Sequence, residues 1–258
     1  MSEKEIKREY TIRKRIIKKR FKESNEALKA KRRDKMEEFY LENEDKRPKN
    51  PPKRPLLQEV GNSVSHGLGS AFSIVALILM LVNSSSAQES VAACLYFAGM
   101  FCMFTASCLY HAFRHGSAVK RLFRRFDYSG IYLMIGATFA PVLLAHFGNT
   151  FGIVFFIIQW SVIAVGITLV AVFGPSKLRF IHIPLYVVLG WSALMLLPGM
   201  MEGRFAMAMW ILAGGVVYSI GIIPYLVKFK ASHFIWHLFV VLGAVTQWIG
   251  IFVHLYLN

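Results

Sequence analysis

Beyond residue 63 the chain alternates between long apolar stretches and short polar ones. The apolar runs fall at about 64–82, 91–113, 128–145, 151–173, 181–198, 206–227 and 234–257. A helix needs ~20 such residues, at 1.5 Å rise each, to cross the hydrocarbon of a bilayer. Buried helices of a soluble protein are a poor alternative, because consecutive runs of this length leave no polar surface for water. The pattern predicts an all-α membrane protein, a seven-transmembrane helix bundle occupying residues 56–258. Pro184 near the start of the fifth run makes it the weakest span. Pro141 and Pro224 are expected to kink their helices near the ends. Gly214, Gly215, Ser219 and Gly221 allow the sixth helix to pack closely on its neighbours.

Residues 1–55 read differently, as a basic cytoplasmic tail followed by a proline-rich linker. Ile6, Tyr10, Ile17 and Phe21 share one sector of a helical wheel that Arg13 interrupts. A helix lying on a membrane surface and a partly helical, solvated tail both fit this pattern. Asn50-Pro51-Pro52-Lys53-Arg54-Pro55 ends any helix and stiffens the connection. The first apolar run begins near Val64 without a small-residue cleavage site, so a signal peptide is not expected.

Charge sharpens this division. Of the 258 residues 55% are hydrophobic and 17% charged, against about 25% charged in a soluble domain. Residues 1–63 hold 20 of the 30 Lys and Arg and 12 of the 15 Asp and Glu. The net charge of +15 is therefore no argument for nucleic acid. It sits in the tail and in short loops, where it suits anionic lipid head groups at ~1 kcal/mol per Lys or Arg. Cys94, Cys102 and Cys108 lie in one apolar run and read as small packing residues rather than a disulfide framework.

Counting Lys and Arg in alternate connections puts 29 on one side of the membrane and only Arg204 on the other. The N-terminus is then cytoplasmic and the C-terminus outside, as in a multi-pass protein of the cell (plasma or inner) membrane. On this topology the short polar motifs converge on the inner face. Glu59, Asn62 and His66 enter with the first span, Ser107 and His111 end the second, Asp127 opens the third, and His233 and His237 open the seventh. Asn62/His66, Ser107/His111 and His233/His237 are i, i+4 pairs and share helix faces. Ionisable groups in spans are costly and usually functional.

His111, His233 and His237 form a tripod of the kind zinc takes, with a fourth position left for water. Asp127 is then a general base toward that water, and Ser107 a donor to a developing oxyanion or a group that orients a ligand. Glu59, Asn62 and His66 stand behind the ligands, cap helices or touch substrate. Each residue alone has a plainer reading: an interfacial histidine, a first-turn aspartate favoured by the helix dipole, a back-bonded serine. Their convergence favours a metal. His146 and His254 belong to the other face, His115 to a basic loop, and His182 to the start of the fifth span.

At these positions the chain resembles the hemolysin III group within the progestin and adipoQ receptor family. The matching stretches are Glu59–His66 (EVGNSVSH), Ser107–Phe113 (SCLYHAF), Asp127–Leu144 (DYSGIYLMIGATFAPVLL), Gly214–Tyr225 (GGVVYSIGIIPY) and His233–Gly243 (HFIWHLFVVLG). The resemblance implies seven helices with a cytoplasmic N-terminus and zinc held by His111, His233 and His237, with Asp127 and Ser107 close by. The wider superfamily resembles intramembrane zinc amidohydrolases, which implies a lipid amide or ester as substrate. A receptor or membrane-homeostasis protein with structural zinc, and a channel-forming cytolysin, remain open beside it, as does the question of whether the chain is an enzyme. The topology is checked directly: a reporter fused after Asn258 should be active outside the cytoplasm, and activity confined to the cytoplasm would reverse the assignment.

Overall fold

The computed structural model describes residues 3–42, 51–201, 203–227 and 229–257. Asn50, Glu202, Lys228 and Asn258, and the side chain of Ile6, lie outside the described residues. The chain divides into two compact units, Met1–Pro48 and Lys49–Asn258.

The described residues of the first unit form one helix, α1 (Glu3–Glu42). Charged pairs one turn apart support it: Arg13 donates to Glu9 at 2.7 Å, and Lys19 lies 4.0 Å from Glu23. Such exposed pairs contribute only about 0.3–0.5 kcal/mol each. Tyr10, Ile17, Phe21 and Leu28 are all exposed.

The second unit consists of helices among its described residues. They are α2 (Leu56–Val82), α3 (Ala87–Ala112), α4 (Ala118–Ala140), α5 (Thr150–Phe173), α6 (Arg179–Trp191), α7 (Phe205–Val227) and α8 (Ser232–Ile251). Each belongs to one of seven helical stretches long and apolar enough to cross a membrane. Large exposed apolar residues such as Ile157, Ile158, Val165 and Val172 on α5 make the outer surface one that fits acyl chains rather than water. The seven-helix fold predicted from the apolar pattern is therefore the fold of the protein.

Helix starts are fixed by side chains. Ser86 Oγ accepts from the Glu89 amide at 3.2 Å, and the Glu89 carboxylate accepts in return from the Ser85 amide at 2.6 Å. Ser117 Oγ accepts from the Lys120 amide at 3.1 Å, and Asn149 Oδ1 from the Gly152 amide at 3.0 Å. These caps satisfy amides that have no partner inside the helix.

Several features depart from the hydropathy reading. The third apolar run starts at 128, yet α4 starts at Ala118. Most of the expected loop 114–126 is thus helix, because the Ser117 cap and the apolar spacing of Val119, Leu122, Phe123 and Phe126 begin it among the arginines. The fifth span is broken: α6 contains Pro184, and Ser192–Leu196 tightens to a 3-10 turn before the short helical turn Leu197–Met200. At Pro141 the third span widens into a π-helical stretch, Pro141–Phe147, closed by left-handed Gly148.

The third span is the central one. Of its most apolar window 61% is buried, against 22–44% for the others. Close packing against α3 requires Gly99, where an added Cβ would sit 2.2 Å from Ala137 Cβ and 2.7 Å from the Leu133 carbonyl oxygen. Hydrogen bonds tie α2 to α3, from Ser63 Oγ to the Cys108 carbonyl at 3.0 Å and between Ser70 and Thr105 at 2.6 Å. At Gly190 an added Cβ meets nothing within 4 Å. Gly99→Leu should therefore cost about 1–3 kcal/mol or more through overpacking, read as a lower Tm in detergent, whereas Gly190→Ala should leave Tm level or slightly raised.

Candidate metal centre

The proline-rich segment delivers the first group. Pro55 caps α2 with its carbonyl, which accepts from the amides of Gln58 and Glu59 at 3.0 and 3.1 Å. Glu59, Asn62 and His66 then follow at i, i+3 and i+7 and share one face. α8 begins differently. Ala231 has φ 63°, a left-handed conformation that costs a non-glycine residue about 1–2 kcal/mol. That turn sets His233 and His237 in the first two turns of α8, one above the other.

The end of α3 meets both helices. His111 is buried, and its Nδ1–H donates to the Glu59 carboxylate. The Asn62 amide lies 3.2 Å from the same nitrogen. Nδ1 has a single proton to give, and Glu59 as a carboxylate only accepts. Asn62 fits this network with its amide oxygen turned toward the ring. Glu59 also pairs with Lys120 Nζ at 3.1 Å, and Lys120 is itself 1% exposed. Lys120 Nζ further donates to the carbonyls of His111 at 3.4 Å and Phe113 at 3.1 Å. It lies 4.9 Å from the centre of the Tyr110 ring, and Tyr110 Oη accepts from Arg54 at 3.4 Å.

This arrangement leaves His111 Nε2 free to face α8. One nitrogen from each of His111, His233 and His237 lies within 4.8 Å of the others. The Nε2 atoms of His233 and His237 are 3.3 Å apart, about the edge of a tetrahedron with Zn–N bonds near 2.05 Å. His66 stacks on His237 with ring centroids 3.8 Å apart. Buried nitrogens or oxygens of His66, Ser107, His111 and His237 have no protein partner. Orphaned, buried donor atoms around three imidazoles are what a metal or a polar ligand would satisfy. The donor set fits zinc: three nitrogens from two helices, with a carboxylate behind one of them.

A cavity of about 160 Å³ opens beside these rings. His66, Ser107, Asp127, His233 and His237 line its polar end, and Ile131, Met134, Phe139 and Val240 line its middle. It continues to Gln247, which is 14 residues beyond His233 on α8 and so ~21 Å farther along the axis. Every sequence-derived site residue thus borders either the histidine cluster or this cavity. His182 lies apart, bonded at 2.9 Å to Tyr132. Lys120, Arg54 and Tyr110 were absent from the sequence-derived set. Hydropathy alone assigns Lys120 to the loop before the third span, although the Ser117 cap three residues earlier marks it as helical.

Comparison with known proteins bears on the whole membrane unit. A family model described as "Haemolysin-III related" matches residues 55–248. The chain is 32% identical over 195 residues to Hemolysin-3 of Bacillus cereus, covering 72% of this chain and 87% of that protein. It is 29% identical over 194 residues to the Hemolysin-3 homolog of Bacillus subtilis (strain 168), covering 73% and 90%. It is 26% identical over 223 residues to the monocyte to macrophage differentiation factor of Homo sapiens, covering 81% and 90%. That protein belongs to the progestin and adipoQ receptor family.

The buried pair gives a test. Lys120→Ala leaves Glu59 without its cation, and should destabilise the protein by about 3–5 kcal/mol. Lys120→Met combined with Glu59→Gln removes both charges and should recover part of that loss in a thermal melt. Equal losses in the single and double variants would mean that the pair does not couple.

Proposed function

Since the chain belongs to the haemolysin-III related family of multi-pass integral membrane proteins, we propose that its histidine cluster holds zinc near the cytoplasmic face and hydrolyses a lipid amide or ester. The observation that carries this reading is the convergence of His111, His233 and His237 beside a cavity whose lining is mostly apolar. When bound, zinc would supply Lewis acidity, polarising a carbonyl and easing the deprotonation of water at neutral pH.

The chain's own residues divide the remaining work. Glu59 holds the proton of His111 on Nδ1 and so aims Nε2 at the metal position, the role a carboxylate commonly plays behind a ligating histidine. Lys120 neutralises Glu59 and ties it to the end of α3. Asp127, on the cavity wall, takes the proton from the attacking water, and the Ser107 hydroxyl donates to the oxygen that gains charge. The apolar stretch between Ile131 and Gln247 holds the fatty acyl chain and excludes water from the reacting end.

Two other readings have narrower support. A receptor-like or homeostatic protein with structural zinc uses the same tripod, which ties α3 to α8. A cytolytic channel has the relatives' name in its favour. A pore, however, needs a polar lining at every depth, and beyond its histidine end this cavity is mostly apolar, with Thr138, Tyr218, Ser219 and Gln247 as isolated polar groups.

Metal analysis and turnover separate the three. Purified wild type should carry one zinc per chain, and His237→Ala should lose it. Asp127→Asn should keep the metal and lose at least ~100-fold in hydrolysis of an N-acyl or acyl-ester lipid. Gly215→Leu, which grows into the cavity, should keep the metal and discriminate against long acyl chains. Zinc retention with no turnover of any lipid, and a fall in Tm on chelation, would favour the structural role. Leakage of ions from protein-loaded liposomes would favour the channel.

A further inference from the structure

The faces of the 40-residue helix α1 are not alike. At 3.6 residues per turn, Tyr10, Ile17, Phe21 and Leu28 fall within about 40° of one another. Ser24 and Lys14 border that sector about 40° to either side of its centre, and the four apolar side chains are 66–68% exposed. Basic residues border the stripe on both sides. Arg13, Arg20 and Lys31 lie about 60–80° to one side of its centre, and Lys7, Lys14 and Arg32 about 40–60° to the other. The acidic residues Glu9, Glu23, Glu26 and Asp34 are turned about 100–160° away, and Glu38 about 80°. Arg8, Ile12, Arg15, Ile16, Lys19 and Lys22 share that far side with them, and Lys19 pairs there with Glu23.

We infer that α1 lies on the anionic bilayer surface of the same membrane, with Tyr10, Ile17, Phe21 and Leu28 in the acyl boundary and the flanking Lys and Arg at the phosphates. An apolar edge bordered by long cationic side chains, with the acids facing water, is the arrangement an interfacial helix needs. Lys14 already folds along the stripe, its Nζ 5.9 Å from the Tyr10 ring centre. A second copy of α1 fits less well. In a two-stranded seam along this edge, Lys14 and Ser24 would occupy core positions, and the basic flanks of two copies would repel. The membrane is also always within reach. Thirteen residues separate Glu42 from Leu56, so α1 is covalently tethered to the membrane by a short connection. This tether gives the surface a high effective concentration at the helix.

Hydrogen exchange on the full chain, one copy per nanodisc, tests the assignment. Amides of residues 10–28 should exchange about tenfold more slowly in discs with about 30 mol% phosphatidylglycerol than in pure phosphatidylcholine. Ile17→Asp with Phe21→Asp should abolish the difference, and Arg13→Gln with Arg20→Gln should shrink it. Exchange that ignores lipid charge would overturn the inference. So would protection that survives the double aspartate variant, or that appears only when a disc carries two copies.

Discussion

A carboxylate buried where three helices meet sets the terms for this bundle. Glu59 arrives on α2, Lys120 answers from α4, and His111 at the end of α3 gives it a hydrogen bond. An ion in such surroundings persists only when its partners repay its lost hydration. That requirement fixes the relative depth of three helices at once. It also explains why α4 starts with a run of cations that would otherwise belong in a loop, since one of them must be helical to reach inward. The same carboxylate decides which nitrogen of His111 carries a proton, and thereby what His111 presents to α8.

The site and the cavity are two halves of one physical arrangement. At one end, imidazoles and acidic or hydroxyl groups gather with more donor atoms than the protein itself satisfies. Away from it the wall turns to isoleucine, methionine and phenylalanine. A molecule suited to both halves has a polar, reactive head and a greasy extension. The bilayer supplies such molecules at high local concentration, without any passage through water.

Much of this was legible in the chain itself. The span count follows from apolar runs, and the shared faces of His233/His237 and Ser107/His111 follow from their spacing. The convergence of separate helices on one end followed from counting connections. What stayed hidden involved charge doing something unusual. Lys120 looked like one more loop cation, because hydropathy averages over a window and α4 begins with alternating leucines, phenylalanines and arginines. Its burial depends on Glu59, which is 61 positions earlier, and no local pattern records that pairing. The stacking of His66 on His237 was equally invisible, since it depends on how α2 and α8 approach. The broken fifth span was hinted at by Pro184, but the 3-10 turn beyond it was not.

The π-helical stretch after Pro141 has an effect that reaches beyond its own seven residues. Each residue added to a turn rotates everything downstream by about 100° around the axis. α4, which bears Asp127, and the closing π-helical stretch, which bears His146, therefore obey separate angular registers. Sequence drift at the far end can be absorbed in the loosened turn without swinging the aspartate off the cavity wall. The third span is thus two helical segments of different pitch, and only the first of them lines the cavity.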